Sequence, residues 1–253
     1  GPKWHMNKQN IPTMGGFMFI IGIAAAVVIG GLVTGSLNVH ALAILGLSVA
    51  YGAVGLVDDY AKIKKKENAG LTPKQKLVLQ ILVAGVFILV LFLGSSGLPQ
   101  LWIPFTGISF SWPWPLYIVF AAFVIVGADN AVNLTDGIDG LAASVTVPVA
   151  VFFAAVGVRI GNTGVTAFAG ALAGGLLGFL IYNFNPAKVF MGDTGSLFLG
   201  GAVAGMAFAC DMPLILLLVG LIYIIETLSV ILQVTYFKAT HGKRLFKMAP
   251  IHH

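Results

Sequence analysis

The feature that most limits what this chain can become is the run of apolar segments that fills nearly all of it. A membrane-crossing helix needs about 20 mostly apolar residues, and eight stretches approach that length: 16–34, 39–57, 77–95, 115–132, 141–158, 164–182, 196–210 and 212–236. The seventh is short and the eighth long. Only 9% of the 253 residues are charged and 58% are hydrophobic, whereas a soluble domain carries about 25% charged residues. There are too few charges to clothe a globule in water, so lipid must be the solvent for most of the surface. The expectation is an all-α, polytopic membrane protein of about eight transmembrane helices, forming one catalytic domain over 1–253. The 32 glycines suit close helix packing in lipid, as in 170–178.

Other classes fall away. The lone Cys210 gives neither an internal disulfide nor a thiolate metal site. A net charge of +5 raises the question of nucleic acid, but the basic residues sit in short loops between apolar runs, where they report topology instead. With the N-terminus inside, all of the 14 basic residues but Arg159 fall on one side, which makes that side the cytoplasm. Neither G-x-x-x-x-G-K-[ST] nor G-x-G-x-x-G is present. No cleavable signal is visible, and the ends at Gly1-Pro2 and His252-His253 read as those of a piece of a longer protein, short of a span at each end. A tag scar and a tag remnant are the other readings of those ends. The external loop 95–114 carries Trp102, Trp112 and Trp114, read as interfacial anchors. Thr72-Pro73-Lys74-Gln75 reads as a capping box with proline at the first helical position, starting the third helix within its loop.

Seven of the nine acidic residues, namely Asp58, Asp59, Glu67, Asp129, Asp136, Asp139 and Asp193, lie at or near cytoplasmic helix ends. Asp211 is outside and Glu226 is within the last span. Asp58-Asp59 closes an apolar run, either as a stop signal balanced by Lys62 and its neighbours or as chemistry. Asn130 to Gly140 holds two Asp-Gly pairs with flanking asparagines; these side chains can cap backbone, and they can equally read the edge of a base. In 183–196, Gly192 and Gly195 bracket Asp193 so that backbone can approach a ligand, and Phe190 either stacks a base or dips into lipid. The tail 242–253 offers Lys243, Arg244 and Lys247 to anionic groups. Carboxylates gathered from several junctions repel unless a cation or proton is shared, and hard oxygen ligands suit Mg²⁺ held together with substrate phosphates.

Taken together, residues 11–16, 57–60, 130–141, 189–201, 226–233 and 245–253 resemble the phospho-N-acetylmuramoyl-pentapeptide transferases, a branch of the polyprenyl-phosphate N-acetylhexosamine-1-phosphate transferase superfamily. The matches keep their expected order over essentially the whole chain. The superfamily's GlcNAc-1-phosphate branch shares the aspartate segments, while Met-Gly-Gly near the start and Met-Ala-Pro-Ile-His-His at the end favour the first branch. That family has ten spans and a third histidine after the pair.

The resemblance implies a bacterial inner-membrane enzyme with its site facing the cytoplasm. It would transfer phospho-MurNAc-pentapeptide from UDP-MurNAc-pentapeptide to undecaprenyl phosphate, making lipid I and UMP for peptidoglycan. It implies Mg²⁺ as cofactor with Asp193 as ligand, Asp58 and Asp59 as the catalytic pair, and a homodimer. Lys8, Thr13, Asn133, Asp136, Asp139, Asn183 and Phe190 fall at nucleoside-pocket positions, with Phe190 stacking on uracil. Lys62, Lys66, Lys74, Gln233, His252 and His253 fall around the pyrophosphate and sugar. The last span resembles the family's broken helix, opening a groove for the polyprenyl chain.

A secondary transporter is the rival from another class. Its coupling carboxylates would lie near the bilayer midplane, where Glu226 alone is a candidate. An ionisable residue inside a span costs roughly 2.5–3.5 kcal/mol and usually marks function; the preferred reading here is that Glu226 satisfies backbone at a helix break.

Overall fold

The computed structural model describes residues 11–65, 70–94 and 97–252. Its helices are α1 (Gly16–Thr34, with a π-helical stretch at Ala26–Gly30), α2 (Val39–Lys65), α3 (Pro73–Gly94), α4 (Trp114–Thr135), α5 (Leu141–Ile160), α6 (Thr163–Asn183), α7 (Gly192–Ala209), α8 (Leu216–Val219) and α9 (Leu221–Ala239). Seven of these segments are long and apolar enough to cross a membrane, so the fold is that of a polytopic helical membrane protein.

The difference from eight expected spans lies at the end of the chain. The segment expected at 196–210 lies within α7, and every residue of α7 from Thr194 to Ala209 is buried. It is a central post wrapped by the other helices. Its glycines and alanines explain why: with little side chain, neighbouring backbones can come within touching distance. A side chain at Gly55 of α2 would collide with the Asp193 carbonyl, and one at Gly200 of α7 would strike Asp129 of α4.

The long segment expected at 212–236 is broken. It runs as a 3₁₀ turn at Pro213–Ile215, then α8, then α9, with Gly220 as the joint. Between α4 and this broken helix lies an apolar groove of about 400 Å³, lined by Phe120, Phe123, Ala131, Leu217, Gly220 and Leu228.

Local signals behave as their chemistry requires. At the head of α3 the capping box closes reciprocally: Gln75 N–H donates to Thr72 Oγ1 (3.3 Å) and Thr72 N–H donates to Gln75 Oε1 (3.0 Å). Asn162 caps α6 by accepting from Val165 N–H (3.2 Å). The external loop read at 95–114 contains a hairpin, Gln100–Trp102 paired antiparallel with Ser109–Ser111. Six strand residues among Trp, Pro and Ser carry no usable alternation, which is why the sequence did not show it.

Candidate active site

The polar residues converge at the N-terminal end of α7. That helix start leaves backbone N–H groups unpaired and carries a positive dipole end. Asp59, from the C-terminal part of α2, meets both demands. Its carboxylate accepts from Asp193 N–H (3.2 Å), Thr194 N–H (2.9 Å) and Thr194 Oγ1–H (2.8 Å). Adjacent residues on a helix point about 100° apart, so Asp58 faces elsewhere. Its Oδ1 accepts from Leu71 N–H (2.7 Å), and its Oδ2 lies 2.7 Å from Lys62 Nζ.

Asp193 completes a triad in which one oxygen of each carboxylate lies within 4.8 Å of the others. Three anions so close would not hold without cations. Lys62 Nζ stands 3.0 Å from Asp193 and 3.8 Å from Asp59, and Lys76 Nζ stands 2.9 Å from Asp193. Asn133, from the last turn of α4, donates to Asp193 Oδ1 (3.2 Å) and Ser196 Oγ (2.7 Å) and accepts from Lys76 (3.4 Å).

Above this cluster opens a cavity of about 460 Å³ lined by Thr13, Asp136, Gly137, Phe190 and Gly192 along with Asp59, Lys62, Asn133 and Asp193. Backbone pairing sets Thr13 beside Phe190: Phe190 N–H donates to Pro12 O (2.9 Å) and Gly15 N–H to Phe190 O (2.8 Å). Desolvation in the cleft, and then the nearby Asp193 and Asp59 carboxylates, push the Asp136 carboxyl well above its ordinary value. A second cavity of about 600 Å³ lies on the α3 side of Lys62, lined by Asp58, Lys76, Gln80 and Asn130.

The other expected residues take varied places. Asn183 is buried and bridges two turns, accepting from Gly140 N–H (3.1 Å) and donating to Val189 O (2.8 Å). Asp139 accepts from Ala187 N–H (3.0 Å). Both brace the walls and are not among the cavity's lining residues. Gln233 turns its Oε1 to the N–H groups of Leu245 (3.1 Å) and Phe246 (2.8 Å). His252 packs against Gly137, where any added side chain would run into its imidazole. Lys74 is exposed on α3, about 200° around the helix from Lys76, whose Nζ reaches Asp193. Lys8, Lys66 and His253 lie outside the described residues.

Lys76, Ser196 and the buried Gln80 were not expected at the site. Gln80 donates to Asp129 Oδ2 (2.7 Å) and accepts from Asn130 Nδ2–H (3.0 Å). A signal for both α3 residues existed. Lys76 and Gln80 are four apart and share a face with buried Ala84 and Phe87, whereas Lys74 does not.

The chemistry such a cluster supports is the handling of phosphates. Lysines neutralise them, carboxylates hold a hard cation or a proton, and asparagine and hydroxyl groups orient them.

Residues 41–211 match the family described as Glycosyl transferase family 4. Curated relatives named phospho-N-acetylmuramoyl-pentapeptide-transferase align over the whole chain. Those of Listeria monocytogenes serotype 4b, Bacillus licheniformis and Clostridium perfringens are 44%, 46% and 49% identical, and the chain covers 78%, 77% and 78% of their respective lengths. The GlcNAc-1-phosphate alternative and the transporter reading are not favoured by these names. With family match and relatives both spanning the helices that build the cleft, the chain belongs to glycosyl transferase family 4, among its phospho-N-acetylmuramoyl-pentapeptide transferases.

Proposed function

We propose that the cleft transfers phospho-MurNAc-pentapeptide from its UDP carrier to undecaprenyl phosphate, giving lipid I and UMP in peptidoglycan synthesis. The observation that carries this reading is the meeting of Asp58, Asp59 and Asp193 with Lys62 and Lys76 at one end of a membrane bundle. Both substrates are polyanions, and one cannot leave lipid while the other cannot enter it. A charge-neutralising cleft at the membrane boundary is where they can meet.

Phe190 and Thr13 form the wall on which the uracil ring stacks, and Asn133 and Asp136 reach the nucleoside and first phosphate. Lys62 and Lys76 neutralise the pyrophosphate as charge shifts toward the leaving UMP. The donor set also suits Mg²⁺: hard carboxylate oxygens lie close together, and Lys62 Nζ already lies among three of them. Asp193 would hold the ion, with Asp58 and Asp59 close enough to complete the carboxylate group around it. Bound there, Mg²⁺ would supply charge stabilisation across the pyrophosphate.

The acceptor phosphate attacks directly, forming its bond to the sugar-linked phosphorus as the bond to UMP breaks. Asp58 takes any proton the acceptor still carries; with a second pKa near 6, it arrives mostly without one. The groove between α4 and the broken helix receives the polyprenyl chain. The positive-inside pattern supports a site that faces the cytoplasm, in a bacterial inner membrane, and the chain acts as a single domain within a homodimer.

The test is to supply purified protein in nanodiscs with undecaprenyl phosphate, Mg²⁺ and either UDP-MurNAc-pentapeptide or UDP-GlcNAc. UMP release matched by lipid-linked product with the first donor alone is the expected result. Preference for UDP-GlcNAc would move the chain to the other branch.

A further inference from the structure

Glu226 is a buried acidic residue that the proposed reaction leaves without a task. It lies less than two turns past the joint at Gly220, and it does not patch the broken backbone there. The backbone at the joint is served within the helix itself, where Gly220 N–H donates to Leu216 O (2.9 Å) and Ile224 N–H donates to Gly220 O (3.1 Å). The carboxylate turns inward instead. Its Oε2 lies 3.0 Å from Nδ1 of His252, and the two side chains are only 8% and 5% exposed. A carboxylate buried at that depth is costly without a partner, so the pairing explains its tolerance in the helix.

The imidazole is held from its other side by Gly137, whose missing side chain leaves room for Nε2. Gly137 follows Asp136 in the turn that lines the cleft. Two turns along α9, Gln233 holds Leu245 and Phe246 by their N–H groups. The segment 245–252 is thus fastened to α9 at two points, with its histidine laid between that helix and the rim of the cleft.

We propose that Glu226 is a positioning residue that acts through His252. A carboxylate at one ring nitrogen fixes the tautomer and orientation of an imidazole and sets the character of the other nitrogen. Held so, the buried His252 imidazole packs on Gly137 and fixes the turn that carries Asp136 at the rim of the cleft. The same contact ties α9, one wall of the lipid groove, to the donor cleft. This inference rests on the reading that the cleft takes a sugar pyrophosphate.

A double-mutant cycle tests it, in nanodiscs with UDP-MurNAc-pentapeptide and undecaprenyl phosphate. Glu226→Gln should lower kcat about tenfold to hundredfold, the range for losing a partner that orients an imidazole, with acceptor KM unchanged. Glu226→Asp should recover part of that loss. In a His252→Ala background, Glu226→Gln should have no further effect. Equal losses in both backgrounds, or none in either, would overturn the proposal. Hydrogen exchange of 245–251 provides a readout independent of turnover. Glu226→Gln should speed exchange there while leaving α7 protected, and unchanged exchange would overturn the latch. A wild-type protein that fails to use the UDP donor would sink the functional reading, and the exchange comparison would still decide whether Glu226 holds the segment.

Discussion

The two ends of α7 make an instructive pair. Each has an aspartate and a cavity: Asp193 beside about 460 Å³ at the start, and Asp211 beside about 260 Å³ at the finish. At the start, the acid meets unpaired N–H groups, a favourable dipole end, two more carboxylates and two lysines. At the finish, Asp211 sits beyond the helix end in a left-handed turn, with His40, Trp114 and Tyr117 around the cavity and, among the described residues, no lysine or second carboxylate lining it. Its carbonyl accepts from Trp102 N–H (3.1 Å), docking the hairpin. An acid at a helix terminus is therefore not a site by itself. What distinguishes one is opposed charges brought from several elements and held in tension.

The largest effect that would sharpen this contrast is expected at Lys76. Lys76→Met should lower kcat by about 10²–10³, the range for losing one electrostatic contact to the transition state, while Lys74→Met should stay within about twofold. Steady-state kinetics of the two variants side by side checks it. Equal losses would mean that the α3 face has been assigned wrongly.

Phe190→Ala comes next. Base–aromatic stacking contributes about 1–3 kcal/mol per base, so donor KM should rise roughly tenfold to hundredfold with kcat little changed. A fall in kcat at constant KM would remove Phe190 from the nucleoside wall.

Asp59 and its neighbour separate architecture from chemistry. Asp59→Asn weakens three charge-assisted hydrogen bonds to α7 and should cost about 1–3 kcal/mol of stability. Thermal unfolding in detergent should register this, while Asp58→Asn, which leaves those bonds intact, should unfold near the wild-type temperature yet lose turnover. Reversed behaviour of the pair would contradict their assignment. At the opposite end, Asp211→Asn should leave kcat and both KM values within about twofold, the smallest effect expected.

Much of this arrangement was legible in the sequence. Apolar length gave the spans, and paired aspartates followed by lysines marked the end where chemistry gathers. The central position of α7 was not legible, because a Gly/Ala helix reads the same whether it faces lipid or other helices. Lys74 came from the family resemblance, whereas Lys76 shows itself through helix phase, on the face that buried Ala84 and Phe87 set. Asn183 and Asp139 carry the right chemistry for a base pocket and spend it on backbone N–H groups. Glu226 was legible as anomalous, but its partner at His252 is a long-range contact that no local pattern reveals.

The account's central claim is that the Asp193 end of α7 performs the transfer. The most direct measurement is stoichiometric UMP and lipid I formation from UDP-MurNAc-pentapeptide and undecaprenyl phosphate at saturating Mg²⁺, comparing wild type with Asp193→Asn. The wild type should form both products one for one, and the variant should form neither while remaining folded by thermal unfolding. Undiminished turnover in Asp193→Asn would contradict the claim.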